Sequence, residues 1–282
     1  MIATLRIAAL ACAAAACVGA EGAQPAGRGH DAPASTQAQA GLASRVAAAP
    51  DGEVWFHYAT RAGVCGSGDD VTTGHTPGEH ETVVNEGSWH DGQAQLCLEG
   101  PTWVALEKHG GRIDEARVRV ARAWPTQGRR VTDLGVVGVR EATDYLLALA
   151  ERSTEGKVGD KAIFAATLAD SVTTWPALLR LARNDAVSEQ TRRGAVFWVS
   201  QQAGDRITRE LAGFVDDDSE GRELRKHAVF ALSQRPRDEA VPELIRIART
   251  HRDPEIRKAA LFWLGQSHDP RALALFEEIL SR

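Results

Sequence analysis

The stretch Asp253–Phe276, DPEIRKAALFWLGQSHDPRALALF, decides the fold of this chain. Its apolar residues fall into two groups at helical spacing. The Asp269–Pro270 step between the groups starts a second helix, with aspartate as N-cap and proline at the first helical position. The motif ALFWLGQ from Ala260 has three counterparts upstream: AIFAATL from Ala162, AVFWVSQ from Ala195 and AVFALSQ from Ala228, at intervals of 32 or 33 residues. The register extends beyond the motif. Phe164, Phe197, Phe230 and Phe262 are followed fourteen residues later by Leu178, Leu211, Leu244 and Phe276, and seventeen later by Leu181, Phe214, Ile247 and Ile279. Residues three apart share a helix face, so each unit holds two helices. A fixed period of this length marks stacked repeats, whose apolar faces are covered only by their neighbours. The phenylalanine column is therefore expected to be buried between units, and Trp198 and Trp263 beside it to serve packing.

The same stretch resembles the consensus of HEAT repeats, particularly the short HEAT-like type first described in bilin lyases. Asp253, Pro254, Arg257, Ala260, Leu264 and Gly265 carry the match. It is good in the last unit, fair in the units at Arg192 and Arg225, and weak in the first, where Gly159 stands in place of the arginine. The resemblance covers about residues 132–282 and implies an α-solenoid of paired helices. It implies no activity, because HEAT arrays serve many functions. It does imply that Arg192, Arg225 and Arg257 form hydrogen bonds between neighbouring repeats, and that second helices line a concave surface. On those second helices Arg180, Arg183, Arg246 and Arg249 fall away from the leucine face and are the partner-binding candidates.

The segments ahead of the repeats differ in kind. In residues 1–20, Arg6 precedes an apolar run from Ile7 to Val18, and small residues follow, which predicts a removable signal peptide and export to the periplasm or cell envelope. Cys17 is a candidate lipid anchor, although Ala14 stands where such sites usually carry leucine. Residues 21–45 are rich in alanine, glycine and glutamine and read as a flexible linker, with Leu42 to Val46 a short lead-in helix. Residues 46–130 form a β-rich domain. Polarity alternates from Val54 to Tyr58, and two extended runs flank His109–Gly111, a combination that suits a hairpin. Ala116, Val118 and Val120 face one side and Arg117 and Arg119 the other, giving an antiparallel sheet with one wet face. Cys65 and Cys97 are expected to pair in an oxidising compartment, a closure worth about 3–4 kcal/mol. The fold class is thus α+β: a small antiparallel β-rich domain, then an all-α HEAT-like solenoid over residues 131–282 with about four and a half repeats.

The formal net charge of −5 gives no footprint for nucleic acid. After the signal, no segment is long and apolar enough to span a membrane. His75, His80 and His90 share a glycine-rich loop with Asp69, Asp70 and Glu79, residue types that suit zinc. Their spacing fits neither the HExxH pattern nor a zinc finger, so a solvated loop is expected, with no metal and no other cofactor. No GxSxG elbow or phosphate loop is present, and GVCGSG around Cys65 is no protease signature, so no catalytic residue is assigned. The expected function is that of an exported bacterial scaffold binding a protein partner through its repeats. The alternatives are an envelope enzyme, hydrolase or lyase-like, and a ligand-sensing regulatory subunit with its site in the β-rich domain.

Overall fold

The structure, a computed structural model, describes residues 41–73, 97–154, 156–202 and 204–281. The expected signal peptide, Cys17, nearly all of the expected linker, and His75, Glu79, His80 and His90 lie outside the described residues.

A short helix α1 (Leu42–Ala48) leads into six strands: β1 (Gly52–Tyr58), β2 (Val64–Ser67), β3 (Asp70–Thr73), β4 (Thr102–His109), β5 (Arg112–Val120) and β6 (Val131–Val136). Four of them form a sheet in the order β5-β4-β1-β6, and β2-β3 is a separate hairpin. The β4–β5 hairpin turns on Gly110 and Gly111, at φ 56° and 78°, a backbone region that side-chain-bearing residues avoid. Two expectations need correction. Strand β6 runs parallel to β1, so the sheet is mixed and continues to Val136, past the boundary expected at 130. The outer face is also drier than expected. Trp55 and Trp124 are only 4% and 6% exposed, and Glu53 accepts hydrogen bonds from Trp55 Nε1 at 2.8 Å and Arg117 at 2.7 Å. The arginines of β5 do point outward, but Arg117 and Arg119 lie over the Trp124 ring.

Nine helices follow among the described residues: α2 (Val139–Arg152), α3 (Gly156–Thr167), α4 (Trp175–Ala182), α5 (Glu189–Ser200), α6 (Asp205–Asp216), α7 (Arg222–Ser233), α8 (Arg237–Thr250), α9 (Pro254–Gln266) and α10 (Pro270–Leu280). The recurring motif places α3, α5, α7 and α9 as first helices, which pack successively on one another. Their second helices are α4, α6, α8 and α10, and α2 supplies the leading half unit. Ala162, Ala195, Ala228 and Ala260 are all fully buried, since a methyl side chain lets neighbouring helices approach closely. Asp269 caps α10 as the sequence predicts, and Asp253 caps α9 in the same way, each accepting from a backbone N–H at 2.9 Å. Beside Asp269, Arg271 holds that carboxyl down at about 2. Gly159 explains the weak first repeat. A Cβ there would stand 2.3 Å from Thr191 Oγ1, leaving no room for the arginine of later units.

The sheet closes the leading end of the helical array. Val54, Phe56 and Tyr58 turn their side chains into the same continuous core as α2 and α3. The Tyr58 hydroxyl donates to the Ala165 carbonyl at 2.5 Å, Arg61 N–H donates to Leu168 O at 2.8 Å, and the Tyr145 ring meets Phe56 edge-on. Burial pushes the Tyr145 hydroxyl up to about 12 and that of Tyr58 higher still. Lys108, 4% exposed, donates from Nζ to the carbonyls of Val46, Ala47 and Ala49 at 3.1, 2.6 and 2.6 Å. These bonds close the C-terminal end of α1, whose last carbonyls have no helical partner. Lys108→Met keeps the stem and strands three acceptors. It should destabilise the fold by about 2 kcal/mol, read as a lower urea midpoint at unchanged slope.

Candidate functional site

The phenylalanine column is a half-exposed ladder and not the buried seam that the repeat pattern predicts. Phe164, Phe197 and Phe230 are only partly buried, and Phe262 is 57% exposed. The interior of the first helices is filled instead by the alanines and the next residue along, with Ile163, Val196 and Val229 fully buried. Successive rings touch across four units. Centroid separations are 5.1 Å for Phe164–Trp198, 5.2 Å for Trp198–Phe197, 6.2 Å for Phe197–Phe230, 5.0 Å for Phe230–Trp263 and 5.0 Å for Trp263–Phe262. The two tryptophans do pack between repeats, as expected, but at the surface. Tilted, edge-on and offset contacts at this range hold each ring in place.

Two clefts flank the ladder. One, of about 760 Å³, is walled by Phe164, Phe197, Trp198, Lys157 and Lys161. The other, of about 540 Å³, is walled by Phe230, Phe262, Trp263, Lys226 and Lys258. Arg193 and His227 line both and form the sill between them. Arg193 Nη2 donates to Glu189 at 2.5 Å, one turn away on the same helix. The Arg193 Nε and the His227 Nε2 are buried and have no hydrogen-bond partner. Burial, then the Arg193 charge, push the His227 imidazole below its ordinary 6.5, against the pull of the Arg193 backbone.

The arginines three residues before the recurring alanines are structural braces. Arg192 donates to the Ala182 carbonyl and to Glu220 at 2.7 Å each, binding α5 to the repeats on either side. Arg225, 8% exposed, reaches Asp218 at 3.0 Å, with Asp253 at 3.6 Å. Arg257 donates to the His251 and Arg252 carbonyls. Arg235, which the sequence reading missed, is 7% exposed and donates to the carbonyls of Ser200, Gln202 and Gly204, binding α7 back to the α5–α6 turn. Its signal was weak, because arginine at that position does not recur.

The four candidate arginines sit on α4 and α8, with α6 between them contributing Gly213 and Asp216 at the equivalent positions. Arg180 on α4 and Arg183 at its C-cap are exposed, and the Arg183 guanidinium lies over the Phe214 ring at 5.4 Å. Arg246 pairs with Glu243 and Asp216 at 2.8 and 2.9 Å, and Arg249 with Glu278 at 2.5 Å. The structure therefore gathers two exposed arginines on α4 and ties the α8 pair to its neighbours. Cys65 and Cys97 are disulfide-bonded, with Cα atoms 5.2 Å apart. Asp69 of the polar loop is engaged by Arg119 and Trp124. Among the described residues no cluster of potential metal ligands forms, and no helix is long and apolar enough to cross a membrane.

Residues 211–282 match the family model of HEAT repeats. The C-terminal array is built of HEAT-like repeats. No curated protein matches the chain. HEAT repeats suggest a protein-interaction scaffold, and the aromatic face lies on the first helices of this array.

Two outcomes follow from the burial pattern. Ile163→Ala, in the closed interior, should cost about 3 kcal/mol in urea unfolding, whereas Phe230→Ala on the half-open ladder should cost only about 1–2 kcal/mol. The depressed imidazole gives a pH dependence of definite sign. The folded chain holds the His227 proton less tightly than the unfolded chain, so the stability it contributes is present above 6.5 and is lost as pH falls through the lower folded value. His227→Gln should flatten the decline in thermal midpoint between pH 7 and 5.

Proposed function

We propose that this chain is an exported bacterial scaffold that binds a protein partner through the aromatic face of its HEAT-like array. One observation carries the reading: a run of six touching aromatic rings, none fully buried, crosses four repeats and is flanked by two clefts. Aromatic side chains fixed by their neighbours are efficient interface anchors, because they desolvate large areas while losing little side-chain freedom. Export is supported by the arginine-led apolar stretch of residues 1–20 and by the Cys65–Cys97 bond, since such bonds persist in oxidising compartments. Cys17 stays in the proposal as a lipid anchor. Arg180 and Arg183, with the more engaged Arg246 and Arg249, form an accessory contact for acidic groups of the partner.

The test is affinity capture from an envelope extract of the native host, comparing wild type with the Trp198→Ser/Trp263→Ser double variant and with Arg180→Glu/Arg183→Glu. The tryptophan variant should lose at least tenfold of a partner that wild type enriches reproducibly, while circular dichroism keeps its helicity. The arginine variant should lose a few-fold. Undiminished capture by the folded tryptophan variant would move the interface off this face.

A further inference from the structure

The sill between the two clefts bears on the chemistry of the partner. Arg193 and His227 are shared by both clefts, and each carries a buried side-chain nitrogen with no partner. Such atoms are costly, and a native structure keeps few of them. Apolar walls lie on both sides: Phe164, Phe197 and Trp198 in one cleft, and Phe230, Phe262 and Trp263 in the other. The surface thus reads apolar, hydrogen-bond-seeking, apolar. Among the described residues the Arg193 guanidinium is held by Glu189, a pair whose side chains are 43% and 60% exposed, and exposed pairs of this kind hold weakly. A stronger acceptor brought by a partner can therefore turn the guanidinium and take up its Nε–H and Nη–H together, a geometry that suits a carboxylate.

Adjacent packed helices lie about 8–10 Å apart, and one cleft lies between α3 and α5 and the other between α7 and α9, so the clefts are separated by two such steps, about 16–20 Å. On a helix, residues eleven apart share a face and lie about 16.5 Å apart, with the residues four and seven along between them on the same face. We infer that the aromatic face takes an amphipathic helix of the partner, with apolar side chains eleven residues apart entering the two clefts and a carboxylate between them seated on Arg193 and His227. The inference rests on the aromatic-face reading above and specifies its ligand. Seating a carboxylate there favours the protonated imidazole, so binding takes up a proton and strengthens as pH falls from 7.5 towards 5.5.

The other charged groups on the cleft walls are Asp160, Lys157 and Lys161 of α3, Glu189 of α5, Glu223 and Lys226 of α7, and Glu255 and Lys258 of α9. Among them Glu189 pairs with Arg193 and Glu223 with Lys226. Among the described residues His227 is the only histidine lining either cleft.

The experiment uses a fluorescein-labelled, alanine-rich 20-residue helix with tryptophan and leucine eleven apart and glutamate between them, and the same peptide with glutamine. Both are titrated by fluorescence anisotropy with the folded, disulfide-bonded protein from pH 7.5 to 5.5. The glutamate helix should bind at least tenfold more tightly than the glutamine helix, and more tightly at pH 5.5 than at 7.5. Arg193→Met should erase the preference for glutamate, and His227→Gln should erase most of the pH dependence, with circular dichroism unchanged in both. Equal binding of the two peptides, with binding lost in Trp198→Ser/Trp263→Ser, would overturn the carboxylate and leave the aromatic face standing. Binding that survives the tryptophan substitutions would overturn both.

Discussion

A HEAT-like helix pair has faces that only another pair can cover, and this constraint arranges the rest of the molecule. Within the array the cover comes from the next unit. Ile247 is fully buried, whereas the equivalent Ile279, with no helix after α10 among the described residues, is 47% exposed. At the leading end the cover comes from a different kind of structure. The inner face of the sheet lies against α2 and α3, and backbone bonds from Arg61 to Leu168 and from Asp170 to Ala59 run across the junction. Solenoids need a cap at an open end, and the sheet serves as one here.

Charge supports this stacking from within. Arg192, Arg225 and Arg257 fix each first helix to the loop that precedes it, and the first two reach on to Glu220 and Asp253. Glu220 shows what this entails. Burial pushes its carboxyl above the ordinary value, and Arg192 acts in the opposite direction to keep it charged. Paired in this way, a partly buried charge can specify which loop meets which helix, so the braces set the register of the repeats. In the second-helix layer, Arg246–Asp216 and Arg249–Glu278 do the same at the surface.

Much of this was legible in the sequence, and the part that was not has a physical cause. The period, the helix pairs, the proline and aspartate starts and the disulfide follow from local chemistry that neighbours do not change. The side of the helix on which a recurring aromatic lies does not follow in the same way. Phe164 and Ile163 are adjacent and both apolar, so either can serve as the buried column, and only the packed neighbour decides. Repetition marks a position as structurally equivalent, and it was read too readily as buried. The parallel strand β6 was missed for a related reason. Its sequence VTDLGV shows little alternation, and its place beside β1 depends on a crossover from β5 past β4 and β1 that no local pattern announces. The sill between the clefts could not be read at all, because Arg193 and His227 come from different repeats.

The exposed ladder leaves apolar area uncovered in each unit, and stacking recovers part of that loss. Each ring contacts the next, so the surface is held in one arrangement before a partner arrives. A surface ordered in advance loses less entropy on association than one that must form its contacts from mobile side chains. The unpartnered nitrogens of Arg193 and His227 act in the same direction. They cost stability in the free protein, and a carboxylate would relieve that cost at Arg193 directly and at His227 on uptake of a proton. A face that combines fixed aromatic rings with unsatisfied polar atoms is therefore poorer for the free fold than a closed seam would be, and better suited to binding. In the same positions a purely structural array would be expected to carry smaller aliphatic side chains, such as those that already fill Val196 and Val229 beside them.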